Sequence, residues 1–142
     1  MHNLDFICVF EDDAIPCMDC KQILTKQLQH IPNDVDLLKL GHLGNVKPPI
    51  EFNDCFEVPV LSFGSHAYIV FKQYYGKFIE NAYRDMHIDR LAMNVKGGGK
   101  IYQSIDMAFT QYNDISEKTI HDNKAYIDLL AKQHKLDNFK LS

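Results

Sequence analysis

The chain has 142 residues, 46% of them hydrophobic and 24% charged, which is typical of a soluble globular protein with one domain over residues 1–142. Its 15 basic and 19 acidic side chains give a formal net charge of −4, which argues against binding of a nucleic-acid backbone through a basic surface. No apolar run approaches the ~20 residues of a membrane span, and the N-terminus lacks the features of a signal peptide. We therefore expect a cytoplasmic protein with no nucleic-acid partner.

An apolar strand that runs directly into three acids opens the chain. The residues from Asp5 to Phe10 predict a buried strand, and Glu11, Asp12 and Asp13 follow it without a break. Such a strand would deliver clustered negative charge to one rim of a sheet. Phosphoryl-transfer receivers, metal-dependent nucleases and phosphatases, and sugar-nucleotide enzymes all use an acidic corner of this kind. The motif alone leaves these classes open.

The rest of the chain alternates between helical and extended patterns, which predicts a mixed α/β fold. Pro16 suits the start of a helix, and glycines close or join several of the extended runs. The predicted elements are a helix over about 17–30, a strand over 34–41, a loop over 42–56, two extended runs over 56–72 joined near 64–65, a helix over about 73–83, a short helix, glycine turn and strand within 87–104, and a helical tail from 116.

The positions of the later aspartates argue against a receiver domain. A receiver needs a third aspartate at the end of its third strand, whereas Asp36 opens an apolar run and Asp54 lies in a polar loop. A metal-dependent phosphoryl-processing enzyme needs further acids at strand ends, and Asp89 and Asp106 are available for that role. This second class therefore stays an alternative.

Five segments of the chain, in order, resemble the family 25 glycosyltransferases, which include lipooligosaccharide galactosyltransferases and the related collagen galactosyltransferases. The segments are "ICVFEDDA", "PNDVDLLKLG", "GSHAYIVFK", "HIDRL" and "QYNDIS", and they extend roughly from Phe6 to Ser116. The resemblance implies a GT-A-like fold, a mixed sheet flanked by helices. It also implies Mn²⁺ or Mg²⁺ as cofactor and inverting transfer of a hexose, galactose or glucose, from a UDP-sugar donor to a glycan or other hydroxylated acceptor.

The resemblance assigns roles to residues of these segments. Glu11 and Asp13 match an acid-x-acid metal motif, and residues two apart on an extended backbone point to the same side, so we expect both to face the cation. Asp12 would then point toward the sugar or a structural partner. The remaining predicted site residues are Asp89 as general base for the acceptor hydroxyl, His66, Gln111 and Ser116 as donor- or acceptor-binding residues, and His121 as a further candidate metal ligand.

Three of these residues also have a structural interpretation. Asp89 could cap the short helix that follows it, and Ser116 could cap the helical tail. His66 could be a hydrogen-bonded strand histidine with no role in binding. The sequence leaves both interpretations open for each residue.

Family members usually carry a strand and an arginine-containing loop before the acidic motif, which arrives here at residue 11. We therefore expect a GT-A sheet that lacks its N-terminal strands and a chain with weak or no activity on its own. A parallel sheet without its first strands would expose an edge, through which copies could self-associate. The alternative function is a degenerate glycosyltransferase-like domain that binds or assembles without catalysis.

Overall fold

The computed structural model describes residues 4–82 and 99–111 of the chain. These residues form a mixed α/β fold built on one six-stranded sheet, which confirms the predicted class. The helices in the described ranges are all too short and too polar to cross a lipid bilayer. The elements are β1 (Phe6–Phe10), β2 (Ala14–Pro16), α1 (Cys20–Leu28), β3 (Leu37–Gly41), β4 (Gly44–Lys47), β5 (Ile50–Glu51), β6 (Phe56–Val58), β7 (Leu61–Phe63), β8 (Ala67–Phe71), a 3-10 turn (Lys72–Tyr74), α2 (Tyr75–Ala82), β9 (Ile101–Ser104) and β10 (Phe109–Gln111).

The main sheet is largely antiparallel, with the strand order β1-β8-β3-β9-β6-β5. Among the described strands only β3 and β9 pair in parallel, so the sheet is mixed, as predicted, with antiparallel pairs in the majority. The crossover through α1 gives β1 and β3 the same direction, but β8 inserts between them antiparallel to both. Two further pairs, β4 with β7 and β2 with β10, form separate two-stranded sheets.

Strand β1 is one of the two outer strands of the main sheet and is mostly exposed. Phe6, Ile7, Cys8 and Phe10 are exposed, and Val9 is partly buried. The prediction of a buried first strand is therefore wrong, because β8 covers one edge of β1 and no strand in the described ranges pairs with the other. Among the described residues the outer edge of β1 is unpaired, and self-association through it stays a prediction.

Strand pairing also changes two of the predicted elements. Pro16 ends β2, where it pairs with Phe109 of β10, and α1 begins only at Cys20. The predicted loop over 42–56 contains β4 and β5, which pair with β7 and β6. In both places pairing with another strand, and not the local pattern alone, decides the conformation.

Two apolar clusters lie on the two faces of the main sheet. Leu38 and Leu40 of β3 point to one face and Leu37 to the other, because side chains alternate along a strand. Helix α1 contributes Leu24 to the first cluster, and α2 contributes Phe78 to the second. The buried members are Val35, Leu38, Leu40, Cys55, Phe56, Ala67, Ile69 and Tyr102 in the first, and Leu37, Tyr68, Val70, Tyr74 and Ile101 in the second.

A row of polar side chains continues the second face of the sheet. Tyr68 lies opposite Lys39, Lys39 beside Gln103, and Gln103 opposite Glu57, so the four follow one another across β8, β3, β9 and β6. Lys39 and Gln103 are 0% exposed. We call these four residues the polar row.

The pair of strands β4 and β7 supplies hydrogen-bond partners to the polar row. Gln103 Nε2 donates to Glu57 Oε1 at 2.5 Å and to Asn45 Oδ1 at 2.8 Å. Asn45 Nδ2 also donates to Glu57 Oε1, at 3.0 Å. Lys39 Nζ lies 3.4 Å from Ser62 Oγ and 3.5 Å from the Ser62 carbonyl oxygen. Because buried polar groups are costly without partners, these contacts specify where β4 and β7 pack.

His42 follows β3 and lies against the same polar region. Its Nε2 donates to the carbonyl oxygen of Ser104 at 3.1 Å, while its Nδ1 is buried without a hydrogen-bond partner in the described ranges. Burial, and after it the nearby positive charge of Lys39, lowers the pKa of His42 to about 4. The side chain is therefore neutral at physiological pH.

We expect His42 to make the folded protein less stable as the pH falls from about 6.5 to about 4. In this range the unfolded chain binds a proton at His42 that the folded chain does not, so the free energy of unfolding decreases. Each unit of difference between the pKa values of the unfolded and folded states contributes about 1.4 kcal/mol, so the free energy of unfolding decreases by about 3 kcal/mol. His42→Gln should remove this part of the pH dependence in urea denaturation.

The comparison at about pH 8 serves as the control, because His42 is neutral there in both states and only the packing change of the substitution remains. If His42→Gln keeps the full pH dependence of the parent protein below about pH 6.5, the role given to His42 is wrong.

Candidate functional site

The acidic corner is a tight turn between β1 and β2. The Glu11 N–H donates to the His66 carbonyl oxygen at 2.8 Å, and the Glu11 carbonyl oxygen accepts from the Ala14 N–H at 3.1 Å. Asp12 and Asp13 form the turn itself; Glu11 and Asp13 are partly buried and Asp12 is exposed. The chain turns at these residues, so the alternation of an extended strand does not set the directions of Glu11 and Asp13.

The fold brings together two predicted site residues, Asp13 and Gln111. Strand β10 pairs with β2 so that Gln111 lies opposite Ala14. Gln111 Nε2 then donates to Asp13 Oδ2 at 2.5 Å, while Asp13 Oδ1 is buried and has no hydrogen-bond partner in the described part of the chain. A buried carboxylate oxygen is unfavourable unless a donor or a cation satisfies it, so Asp13 Oδ1 is a candidate ligand atom.

His66 fills the space that a side chain at residue 41 would need. His66 is 1% exposed, and its Nε2 donates to the Phe109 carbonyl oxygen at 3.2 Å. A Cβ atom at Gly41 would lie 2.3 Å from His66 Nε2 and 2.6 Å from the Phe109 oxygen, which is far too close. Glycine at this position therefore allows β3, the start of β8 and β10 to meet. This hydrogen bond agrees with the structural interpretation of His66.

Tyr68 links the acidic corner to the polar row. Burial raises the pKa of Tyr68 to about 12, and the nearby Glu11 carboxylate adds to this increase. The phenol therefore stays protonated at neutral pH and keeps its hydrogen for donation near a carboxylate. The motif "GSHAY" contains Tyr68, but its spacing does not indicate this neighbour, because cross-strand register brings the two residues together.

Asp89, Ser116 and His121 lie outside the described residues, so their roles stay predictions. Asp106, an acid considered for phosphoryl chemistry, is exposed between β9 and β10. Within residues 4–82 and 99–111, no group of three or more His, Cys, Asp and Glu side chains is placed to hold a metal ion. The described ranges can therefore offer at most two such side chains to one cation.

A cavity of about 740 Å³ lies at the far end of β1 from the acidic corner. Asp5 and Lys72 lie on its rim, next to the end of β1 where Phe6 pairs with Phe71. The acidic corner follows Phe10, at the opposite end of the same strand. This cavity is thus separate from the clustered acids. Its other lining residues are Ile31, Pro32, Asn33, Val35, Phe71 and Gln73.

Comparison with known proteins finds no match to this chain among family models, curated proteins or solved structures. The likeness of its five segments to the family 25 glycosyltransferases, and the GT-A topology that this likeness implies, therefore remain predictions from the motifs.

We expect Gly41→Ala to destabilise the protein by about 1–3 kcal/mol, because the new methyl group would overlap the His66 ring and the Phe109 carbonyl group. Urea denaturation measures the effect. Gly76→Ala in α2 is the matched control, since a Cβ atom there meets nothing within 4 Å. Alanine is favoured over glycine in helices, so the control should be neutral or stabilising. Equal effects of the two substitutions would contradict the close packing at Gly41.

Proposed function

We propose that the chain is a metal-dependent glycosyltransferase that moves a hexose, galactose or glucose, from a UDP-sugar to a glycan or other hydroxylated acceptor, with inversion. The observation that supports this most is the state of Asp13: one carboxylate oxygen is held by Gln111, and the other is buried without a hydrogen-bond partner in the described ranges. The order of the five motifs, from "ICVFEDDA" to "QYNDIS", supports the reaction class.

The chemistry of the acidic corner fits a hard divalent cation. Mn²⁺ and Mg²⁺ prefer oxygen ligands, and one turn of this chain carries the carboxylates of Glu11 and Asp13. When bound, such a cation stabilises the negative charge that grows on the diphosphate as the bond to the sugar breaks. Oxygen atoms of the donor diphosphate and water are the natural source of the remaining ligands.

Neighbouring residues restrict how the two acids can move. The Glu11 main chain is anchored to the His66 carbonyl group, and Gln111 fixes Asp13 Oδ2. A preorganised carboxylate binds a cation with less loss of side-chain entropy than a free one. Gln111 therefore acts on the donor site by orienting Asp13.

The transfer step requires a group that accepts a proton. As the acceptor oxygen attacks the anomeric carbon, the bond from that carbon to the UDP oxygen breaks and the acceptor hydroxyl proton passes to a general base. Asp89 is the proposed base, from its place in "HIDRL". Asp12, exposed in the turn beside the proposed donor site, is proposed to contact the reacting sugar.

Thermal unfolding with Mn²⁺ and UDP tests the donor site. The two ligands together should raise the Tm more than either alone, because the diphosphate of UDP supplies ligands to the cation and each ligand therefore strengthens the binding of the other. A ligand at about 100 times its Kd stabilises the folded state by about 2.7 kcal/mol. Asp13→Asn should abolish the joint shift, since an amide oxygen carries no full charge. Asp54→Asn is the control for the loss of one negative charge: Asp54 is exposed to solvent and lies between β5 and β6, at the opposite edge of the sheet.

Release of UDP from UDP-galactose and UDP-glucose then separates transfer from binding. A joint Tm shift without UDP release would indicate a domain that binds the donor without catalysis. If Mn²⁺ and UDP together leave the Tm of the parent protein unchanged, the proposed donor site is wrong.

A further inference from the structure

Strand β1 carries two similar exposed phenylalanines in different surroundings. Phe6 is 53% exposed and Phe10 is 51% exposed, and both point to the same side of the strand because they are four residues apart. The Phe6 ring lies 6.2 Å from the Phe71 ring, and the Phe10 ring lies 4.9 Å from the Phe109 ring. Only Phe10 is followed directly by the acidic corner.

Strand β10 places the Phe10 ring beside the polar groups of that corner. Phe109 and Gln111 are two residues apart on β10, so their side chains point to the same side of the strand. Phe109 contacts the Phe10 ring, and Gln111 holds Asp13. The aromatic pair and the amide–carboxylate pair are therefore separated by about 7 Å along one side of β10. A six-membered sugar ring with its hydroxyl groups has about this size.

An aromatic ring next to fixed polar groups suits a sugar ring. One face of a hexopyranose consists largely of C–H groups, which favour the negative face of an aromatic ring, while its edge carries hydroxyl groups. Small-molecule sites in general combine apolar or aromatic surface with a few placed polar groups. Here the polar groups are the Gln111–Asp13 pair and the exposed Asp12.

We propose that the exposed ring of Phe10 is the platform on which a hexopyranose stacks, with the hydroxyl edge of the sugar toward Gln111 and the acidic turn. This inference rests on the proposed function, because it names the residue that positions the sugar at the same corner. The sugar is either the hexose of the donor or the terminal hexose of the acceptor, since both have the same ring chemistry.

Binding measurements with variants of the full chain test this platform. The probes are UDP, UDP-galactose and UDP-glucose with Mn²⁺, and methyl galactoside and methyl glucoside alone. Calorimetry or ligand-observed NMR measures the affinity for each probe. Phe10→Ala should weaken hexose binding about threefold to tenfold, the loss expected for one aromatic contact, and leave the affinity for UDP unchanged. Phe6→Ala is the matched control, because its ring has nearly the same exposure on the same strand.

Two further variants separate stacking from packing against Phe109. Phe10→Tyr keeps the aromatic face and should retain hexose binding, whereas Phe10→Leu keeps an apolar side chain and should lose it. Circular dichroism and the Tm of each variant confirm that the fold is kept. Retained binding in Phe10→Leu would overturn the stacking role even if Phe10→Ala fails to fold.

The probes distinguish the two sources of the sugar. A loss confined to the UDP-hexoses, beyond any change for UDP, indicates the donor sugar, and a loss for the methyl hexosides indicates the acceptor sugar. Absence of any hexose contribution to binding in the parent protein, or equal effects of Phe6→Ala and Phe10→Ala, overturns the platform.

The same probes separate this inference from the proposed function. If the methyl hexosides bind through Phe10 but UDP does not bind with Mn²⁺, the proposed transferase function is wrong and the role of Phe10 as a sugar platform is supported. If UDP binds with Mn²⁺ while no hexose depends on Phe10, only the platform is wrong.

Discussion

The close contact between Gly41 and His66 is the constraint on which the candidate site depends. Because residue 41 has no side chain, the His66 ring packs against the end of β3 and its Nε2 reaches the Phe109 carbonyl group. This contact holds β10 against the main sheet. Strand β10 in turn carries Gln111 to Asp13, which leaves one oxygen of Asp13 buried and available. A methyl group at residue 41 would therefore disturb a carboxylate that it does not touch.

The polar row gives the interior beneath this corner a specific arrangement. Lys39, Gln103 and Glu57 follow one another across three strands, with partners from β4 and β7. Apolar residues of similar size would often be as stable, because burying charged groups has a large desolvation cost. Polar partners instead discriminate strongly between strand arrangements, since a wrong arrangement leaves buried groups unsatisfied. The row begins at Tyr68, whose pKa is raised by burial and further by the negative charge of Glu11, so the acidic corner and the row are close enough to interact electrostatically.

The two ends of β1 show that surroundings, more than residue type, distinguish a candidate site. Phe6 and Phe10 have nearly the same exposure, and each contacts one other phenylalanine. Phe6 follows Asp5, which lines an open cavity without clustered acids, whereas Phe10 is followed by the acidic turn. The exposed ring and the unsatisfied carboxylate oxygen of Asp13 are both unfavourable in isolation. Their combination at one place is what favours a ligand with an apolar face and a charged part.

Local patterns in the sequence are enough to predict the mixed α/β class, extended runs at 6–10, 37–41 and 101–104, and an acidic group directly after the first strand. The exposed outer position of β1, the strand that ends at Pro16 and the contact of Gln111 with Asp13 became visible in the three-dimensional fold alone. Those outcomes depend on register between distant segments, as in the Gln111–Asp13 pair, whose members are 98 residues apart. Periodicity and capping report on neighbours along the chain, whereas the partner and register of a strand depend on which surfaces the whole fold can bury.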